Sequence, residues 1–323
     1  MARKYGAWLI RLLSVVALPV ALFVLFSVLA PGFGLNSLSL VLRQALIPTV
    51  MGIGMAFGQT AGIFDLSVGT RVILAATVGG VLGNSIGIAG IVVGCLIGGI
   101  LPAILMGTLH NVLRLPSLVL SLGFVMVLEI AASTVMGHTG QVAVDSSIAI
   151  LGKSPWCFII TLACAVIFYF LYYHSKFSYH VRVVGNNELL AKNMGISVKR
   201  TNFMCFFVGG IFLGIVGILQ LCYSNSVSAS IQMGSMSLVF KPMMGVMIAM
   251  ELLKLYDNFA LNIVAGEVCI SIIFNGLIAL GLPATMQDVV LGVFMLLVMA
   301  VSANRQVLKT GKLLKRDLIR ARA

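Results

Sequence analysis

The stretch Gly62-Ile63-Phe64-Asp65-Leu66-Ser67-Val68-Gly69 sets a carboxylate and a hydroxyl between two glycines inside a long apolar run. An ionisable side chain inside a membrane span costs about 2.5–3.5 kcal/mol on insertion scales, so an interaction or a function must offset that cost. The glycines allow a helix to break and expose backbone groups, which lipid does not tolerate. We therefore expect this segment to face the interior of a helical bundle.

Two compatible hypotheses describe the segment. In the functional one, Asp65 and Ser67 belong to a polar gate or solute path, flanked by the motif glycines Gly62 and Gly69. In the structural one, Asp65 caps a helix that begins at Leu66, because its side-chain oxygen can accept from the free amides of the first turn.

The composition of the whole chain identifies its class. The 323 residues are 60% hydrophobic and 9% charged, with a mean hydropathy of +1.11, whereas a soluble domain carries about 25% charged residues. Apolar runs of about 20 residues recur, and each can cross a bilayer core of about 30 Å. The sequence predicts an all-α, multi-pass membrane protein, with residues 1–323 in one transmembrane domain.

Hydropathy and turn residues predict about ten transmembrane helices. They cover roughly residues 13–30, 45–64, 70–83, 86–108, 116–137, 155–173, 202–222, 237–253, 259–279 and 286–303. The third is short and bounded by glycines, so a half-helix or re-entrant segment is an alternative there.

The basic residues set the expected orientation. The formal charge is +12, and the basic side chains collect in residues 1–12, 174–200 and 304–323. Lys and Arg are in excess in cytoplasmic loops, so we expect a cytoplasmic N-terminus, a cytoplasmic loop at 174–200 and a basic cytoplasmic tail. Residues 138–153 and 223–236 then lie outside. The basic residues are not interleaved with aromatic residues, which argues against a nucleic-acid partner.

Further polar residues fall inside the predicted helices. Glu129 and Glu267 lie near helix centres, and Lys241 interrupts the start of another helix. A buried carboxylate needs a partner to carry charge. Each glutamate can therefore contact a solute, pair with Lys241 or make a structural hydrogen bond. Asn275 is a fifth candidate for the solute path, with a local hydrogen bond as its alternative.

No metal or nucleotide site is indicated. The six cysteines stand singly, without a Cys-x-x-Cys pair or a histidine spacing that suits a metal. Gly152-Lys153-Ser154 ends like a P-loop, but Ser147 stands where a glycine is required. We expect no cofactor on this chain, so any ATP and Mg must be held by another subunit.

The connection 174–200 contains a candidate short helix. Its expected N-cap, first-turn acid, last-turn base and left-handed C-cap are Asn187, Glu188, Lys192 and Gly195. Leu189 and Leu190 give it an apolar face, and about seven residues are too few for a stable isolated helix. We expect it to dock on its own bundle or on a cytoplasmic partner.

Four groups of residues, dispersed over most of residues 40–303, carry a resemblance to a known family. They are Asp65 to Gly69, Leu113-Arg114-Leu115-Pro116-Ser117 with Ser121-Leu122-Gly123, Gly185 to Val198, and Asn275-Gly276-Leu277 with Gly281 and Gln287. In these the chain resembles the permease subunits of ribose-type bacterial ABC importers, within the type II superfamily of branched-chain amino acid and sugar permeases.

The resemblance implies a ten-helix subunit in the bacterial cytoplasmic (inner) membrane that forms the path for a monosaccharide or related polar solute. Its implied partners are a cytoplasmic ABC ATPase, which holds ATP and Mg and grips the helix within 185–198, a second permease chain and an extracytoplasmic solute-binding protein. Two departures favour a specialised chain of a heterodimer: Arg71 in a usually apolar stretch, and residues 249–258 in place of a glycine-rich turn.

Two other classes of function remain open at this point. An ion-gradient-driven secondary transporter or channel needs paired carboxylates or a proton relay near the midplane, which Glu129 and Glu267 would have to supply. A membrane-embedded enzyme needs a converging set of catalytic side chains, and only Asp65 and Ser67 are close in sequence.

Overall fold

A computed structural model describes residues 2–30, 32–113, 115–283 and part of 286–300, with side chains described from residue 13 onward. The expected basic tail at 304–323 and the basic side chains of residues 1–12 lie outside the described residues. The described chain is mostly helical, as the sequence predicts.

The described residues form eleven α-helices and one small sheet. The helices are α1 (Ala2–Leu29), α2 (Leu35–Thr60), α3 (Val68–Ile86), α4 (Ile88–Leu113), α5 (Ser117–Met136), α6 (Trp156–His174), α7 (Lys176–Asn186), α8 (Glu188–Asn193), α9 (Val198–Ser224), α10 (Ser237–Leu252) and α11 (Phe259–Ala279). The strands β1 (Gln141–Ala143) and β2 (Ser226–Ser228) pair antiparallel, with Val142 opposite Val227.

Seven of the described helices are long and apolar enough to cross a membrane: α2, α4, α5, α6, α9, α10 with the 3₁₀ turn before it, and α11. The protein is therefore a multi-pass membrane protein. The other three predicted spans correspond to the apolar part of α1 (Leu13–Leu29), to α3 and to residues 286–300. That these also cross, and that the termini are cytoplasmic, stay predictions.

α3 is a helix of 19 residues, longer than the predicted span at 70–83. At 1.5 Å per residue it is about 28 Å long, which favours a complete helix over the half-helix alternative. Its backbone packs closely on that of α4. A Cβ on Gly94 would lie only 2.8 Å from the Cα of Gly79. Small residues of this kind let helices associate in lipid.

The two ends of the bundle differ. At the sheet end, β1 and β2 join the connection after α5 to the connection after α9. At the α8 end, α7 lies beside the last turn of α2, and α8 contacts α7 and α9. The ring centroid of Phe57 lies 5.1 Å from those of Phe168 and Phe177, which holds α7 against α2 and α6. A Cβ on Gly185 would overlap the carbonyl oxygen of Thr60, so only glycine permits this contact between α7 and α2.

The connection between α10 and α11 is fastened to the end of α6. The hydroxyl of Tyr173 donates to Asp257 Oδ1 at 2.9 Å and accepts from the backbone N–H of Phe259 at 2.9 Å. The unusual sequence at 249–258 therefore forms a turn that side-chain hydrogen bonds hold in place.

Part of the segment 229–236, which follows β2, inserts between α3 and α5, and the outside location of 223–236 stays a prediction. Ser235 is only 1% exposed, and its Oγ lies 2.6 Å from Oγ1 of Thr70 in the first turn of α3. A Cβ on Gly69 would overlap the carbonyl oxygen of Ser235, which explains the need for this motif glycine. The N-terminal ends of α3 and α10 therefore meet inside the bundle, where the surrounding protein shields the non-helical backbone from lipid.

Candidate functional site

The described helices surround an open cavity of about 810 Å³. Its walls come from α2, α3, α9, α10, α11 and the strand segment 226–230. Polar residues in these walls include Gln44, Gln220, Lys241, Glu267 and Ser271. Binding sites for small molecules occupy about 300–1,000 Å³, so this cavity has the size of a solute site.

Glu267 belongs to the wall of this cavity. It is 0% exposed, and neither carboxyl oxygen has a hydrogen-bond partner among the residues that the structure describes. A hydrogen-bonded pair with Lys241 is therefore not formed; the Nζ of Lys241 lies 3.6 Å from the centre of the Phe274 ring, in a cation–π contact. The carboxyl occupies a recess left by Gly52 and Gly245, and a Cβ on Gly52 would lie 2.9 Å from its Oε1.

Glu129 has a different role in the structure. It is 2% exposed and accepts from the backbone N–H of Met233 at 2.9 Å, from that of Ser235 at 3.0 Å and from the Ser235 hydroxyl at 2.5 Å. These bonds fix the inserted segment 229–236 to the middle of α5. Of the alternatives for Glu129, the structure shows the structural hydrogen bond, and the pairing with Lys241 is not seen.

Glu129→Gln is expected to lower the free energy of unfolding by about 1–3 kcal/mol, because an amide NH₂ would face a donor and leave it unpaired. Thermal unfolding of the purified protein in detergent measures the effect. Glu188→Gln is the matched control, since it removes only an exposed ion pair with Lys192 and should cost no more than about 0.5 kcal/mol. Equal unfolding temperatures for the two variants would contradict this role of Glu129.

Asp65 lies at the start of α3, between α2 and α3. Its Oδ1 accepts from the backbone N–H of Ser67 at 2.8 Å and from the Ser67 hydroxyl at 2.6 Å. Asp65 therefore stabilises the turn just before α3 rather than capping the helix: α3 begins at Val68 and its N-cap is Ser67, so the expected cap on a helix that starts at Leu66 is wrong. Gly62 has a φ of +78°, which lets the chain turn sharply after α2.

Arg71 is the partner of Asp65. Its Nη2 forms an ion pair with Asp65 Oδ2, and the side chains of Arg71 and Asp65 are 2% and 11% exposed. Both line a separate cavity of about 30 Å³, far below the volume of a solute site. The structure thus brings Asp65 and Ser67 together with Arg71, away from Glu267. A part for Asp65 and Ser67 in gating stays a prediction.

A family model described as branched-chain amino acid transport system / permease component matches residues 37–299. The chain belongs to this family. The match covers the bundle from α2 to α11, including all the walls of the 810 Å³ cavity.

Three known permeases resemble the chain, two of them over nearly its whole length. It is 29% identical to the probable ABC transporter permease protein YphD of Escherichia coli K12, over 91% of this chain and 89% of that protein. It is 24% identical to the ribose import permease protein RbsC of the same strain, over 94% and 98%. The D-allose transport system permease protein AlsC of that strain is 26% identical, over 67% of each chain. No solved structure matches the chain.

α8 of this permease-family chain has the predicted caps. The side chain of Asn187 accepts from the N–H of Leu190 at 3.0 Å, and Gly195 has a φ of +76°. Lys192 Nζ lies 2.8 Å from Glu188 Oε1. The helix has six residues, Glu188–Asn193.

The cavity wall of this permease-family chain contains a polar residue, Gln44, that sequence reasoning missed. Gln44 precedes the predicted second span at 45–64, but α2 begins at Leu35, which brings Gln44 into the helix and the cavity wall. Asn275 donates to Gln44 Oε1 at 2.7 Å and to the Ser271 carbonyl at 2.8 Å. Asn275 therefore makes hydrogen bonds beside the cavity and orients the side-chain amide of Gln44, which lies in the cavity wall.

Proposed function

We propose that the chain is a permease subunit of a bacterial ABC importer in the cytoplasmic membrane, where it forms the path for a monosaccharide or related polar solute. The solute class is supported by the names of the ribose and D-allose permeases that it resembles. The 810 Å³ cavity, with hydroxyl, amide and charged groups in its walls, is the proposed path. In this proposal ten helices cross the membrane, and both termini and α8 are cytoplasmic.

The exposed apolar face of α8 is the observation that best supports an ATP-driven importer. Leu189 is 71% exposed and Leu190 52% exposed, on a helix too short to be stable without tertiary contacts. Gly185 lies in α7, three residues before α8, and contacts the last turn of α2. Farther along, α2 lines the cavity. A partner that moves α8 would therefore move a wall of the solute path.

The proposed partners follow from this arrangement. A cytoplasmic ABC ATPase, which holds ATP and Mg, binds α8, and an extracytoplasmic binding protein delivers the solute at the sheet end. A second permease chain completes the importer, and a sister chain is favoured over a second copy because Arg71 and 249–258 depart from the pattern of the family. The secondary-transporter alternative loses support, because Glu129 bonds to the inserted segment while Glu267 lies in the cavity wall.

Reconstitution tests the proposed function. The chain is purified from its native membrane with the proteins that accompany it and placed in liposomes, and uptake of labelled D-ribose and D-allose is measured. We expect uptake that needs ATP and stops with vanadate. Uptake by the chain alone, driven by an ion gradient and insensitive to vanadate, would contradict the proposal.

A further inference from the structure

Glu267 differs from Glu129, which is also buried in the bundle, because no described residue donates a hydrogen bond to it. Glu129 accepts three hydrogen bonds, whereas both oxygens of Glu267 lack a donor among the described residues although the side chain is 0% exposed. Buried polar groups are nearly always hydrogen-bonded. An exception in the wall of a large cavity therefore points to a ligand that brings the donor.

The wall around Glu267 offers other acceptors. Pro48 in α2 and Pro242 in α10 both line the cavity. A proline inside a helix has no N–H for the carbonyl four residues earlier, and these carbonyls belong to Gln44 and Leu238, which line the same cavity. The wall therefore includes two residues whose backbone carbonyls lack their usual helical donor, and such acceptors suit a solute rich in hydroxyl donors.

Two glycines leave the space that the Glu267 carboxyl occupies. A Cβ on Gly245 would overlap the carboxyl group, and one on Gly52 would lie 2.9 Å from Oε1. α2, α10 and α11 thus converge on this group, and all three line the cavity. The carboxyl oxygens are buried just behind the cavity surface, so contact with a solute requires a side-chain rotation or a separation of these helices.

We propose that Glu267 is a specificity-determining residue of the solute path, whose carboxyl accepts a hydrogen bond from a hydroxyl group of the solute. The proposal rests on the proposed function, because it takes the cavity to be the path. A site built to hydrogen-bond a hydroxyl discriminates strongly against a solute that lacks it, because the buried acceptor is then left unpaired.

Carbodiimide labelling of the purified full chain in lipid nanodiscs tests the contact, because this reagent modifies carboxyl groups in apolar surroundings. Mass spectrometry follows the adduct at Glu267 and at Glu129, the matched control. We expect faster labelling at Glu267, and a several-fold slowing there, but not at Glu129, with D-ribose or D-allose present. No labelling of Glu267, or equal rates with and without both sugars, would overturn the proposal.

A second measurement separates specificity from a structural role. In the reconstituted importer, Glu267→Leu should raise the KM for the sugar that protects by about tenfold, the loss expected when a buried hydroxyl of the solute is left without its acceptor, with the maximal rate little changed. Glu267→Gln, which keeps an acceptor oxygen, should raise it less. An unchanged KM in Glu267→Leu would overturn this proposal alone, whereas a wild-type complex without ATP-driven uptake would instead overturn the proposed function.

Discussion

Arg71→Met is expected to lower the free energy of unfolding by about 3–5 kcal/mol, because it leaves the Asp65 carboxylate largely buried without its cation. Arg71 is 2% exposed and Asp65 11% exposed, so water can replace the lost partner only in part. The same carboxylate stabilises the turn before α3 by accepting from the N–H of Ser67. Thermal unfolding of the purified protein, together with the yield of folded protein, measures the loss.

The double variant Asp65→Asn/Arg71→Met distinguishes an ion pair from simple loss of packing. Removal of both charges should restore much of the stability that either single change loses, because no uncompensated charge remains. Loss of the exposed pair by Lys192→Met should cost no more than about 0.5 kcal/mol. A double variant as unstable as Arg71→Met would show that the pair is not the cause.

The double change Leu189→Asp/Leu190→Asp is expected to abolish ATP-driven uptake while the protein still inserts and folds. Both side chains are exposed, at 71% and 52%, so a carboxylate there costs the fold little, but at an interface it would be desolvated without a partner. Uptake and ATP hydrolysis by the reconstituted complex are measured side by side.

Two outcomes would limit this interpretation of α8. Glu188→Gln changes the same helix without touching its apolar face, so it should keep at least about half of wild-type uptake, since an exposed pair contributes little. Normal uptake in the double aspartate variant would remove α8 as the docking site. Loss of inserted protein in that variant would show that the leucines stabilise the fold itself.

Local signals in the sequence predict local structure well. The caps of α8 at Asn187 and Gly195 follow from residue preferences over a few positions, and the structure shows both. The long apolar helices follow in the same way from runs that suit the bilayer. Such signals need no knowledge of distant parts of the chain.

Contacts between distant segments were not predictable from one sequence. Glu129 bonds to residues 104 and 106 positions away, and no local pattern in the serine-rich stretch 223–236 marks the part that inserts between α3 and α5. Arg71 seemed a departure from an apolar stretch, and only the turn between α2 and α3 shows that it neutralises Asp65. Of the predicted path residues, Glu267 alone lies in the cavity wall, since packing of five helices decides that wall.

The most direct test of the central claim, that the 810 Å³ cavity is the solute path, is a thiol block within it. Gln220→Cys places a thiol in the cavity wall, while Ser146→Cys places one on the exposed connection after β1; the six native cysteines are buried. After treatment with a membrane-impermeant charged thiol reagent, uptake by the reconstituted complex is compared for the two variants. We predict loss of uptake in Gln220→Cys only, with the solute protecting it; full uptake by a modified Gln220→Cys protein would contradict the account.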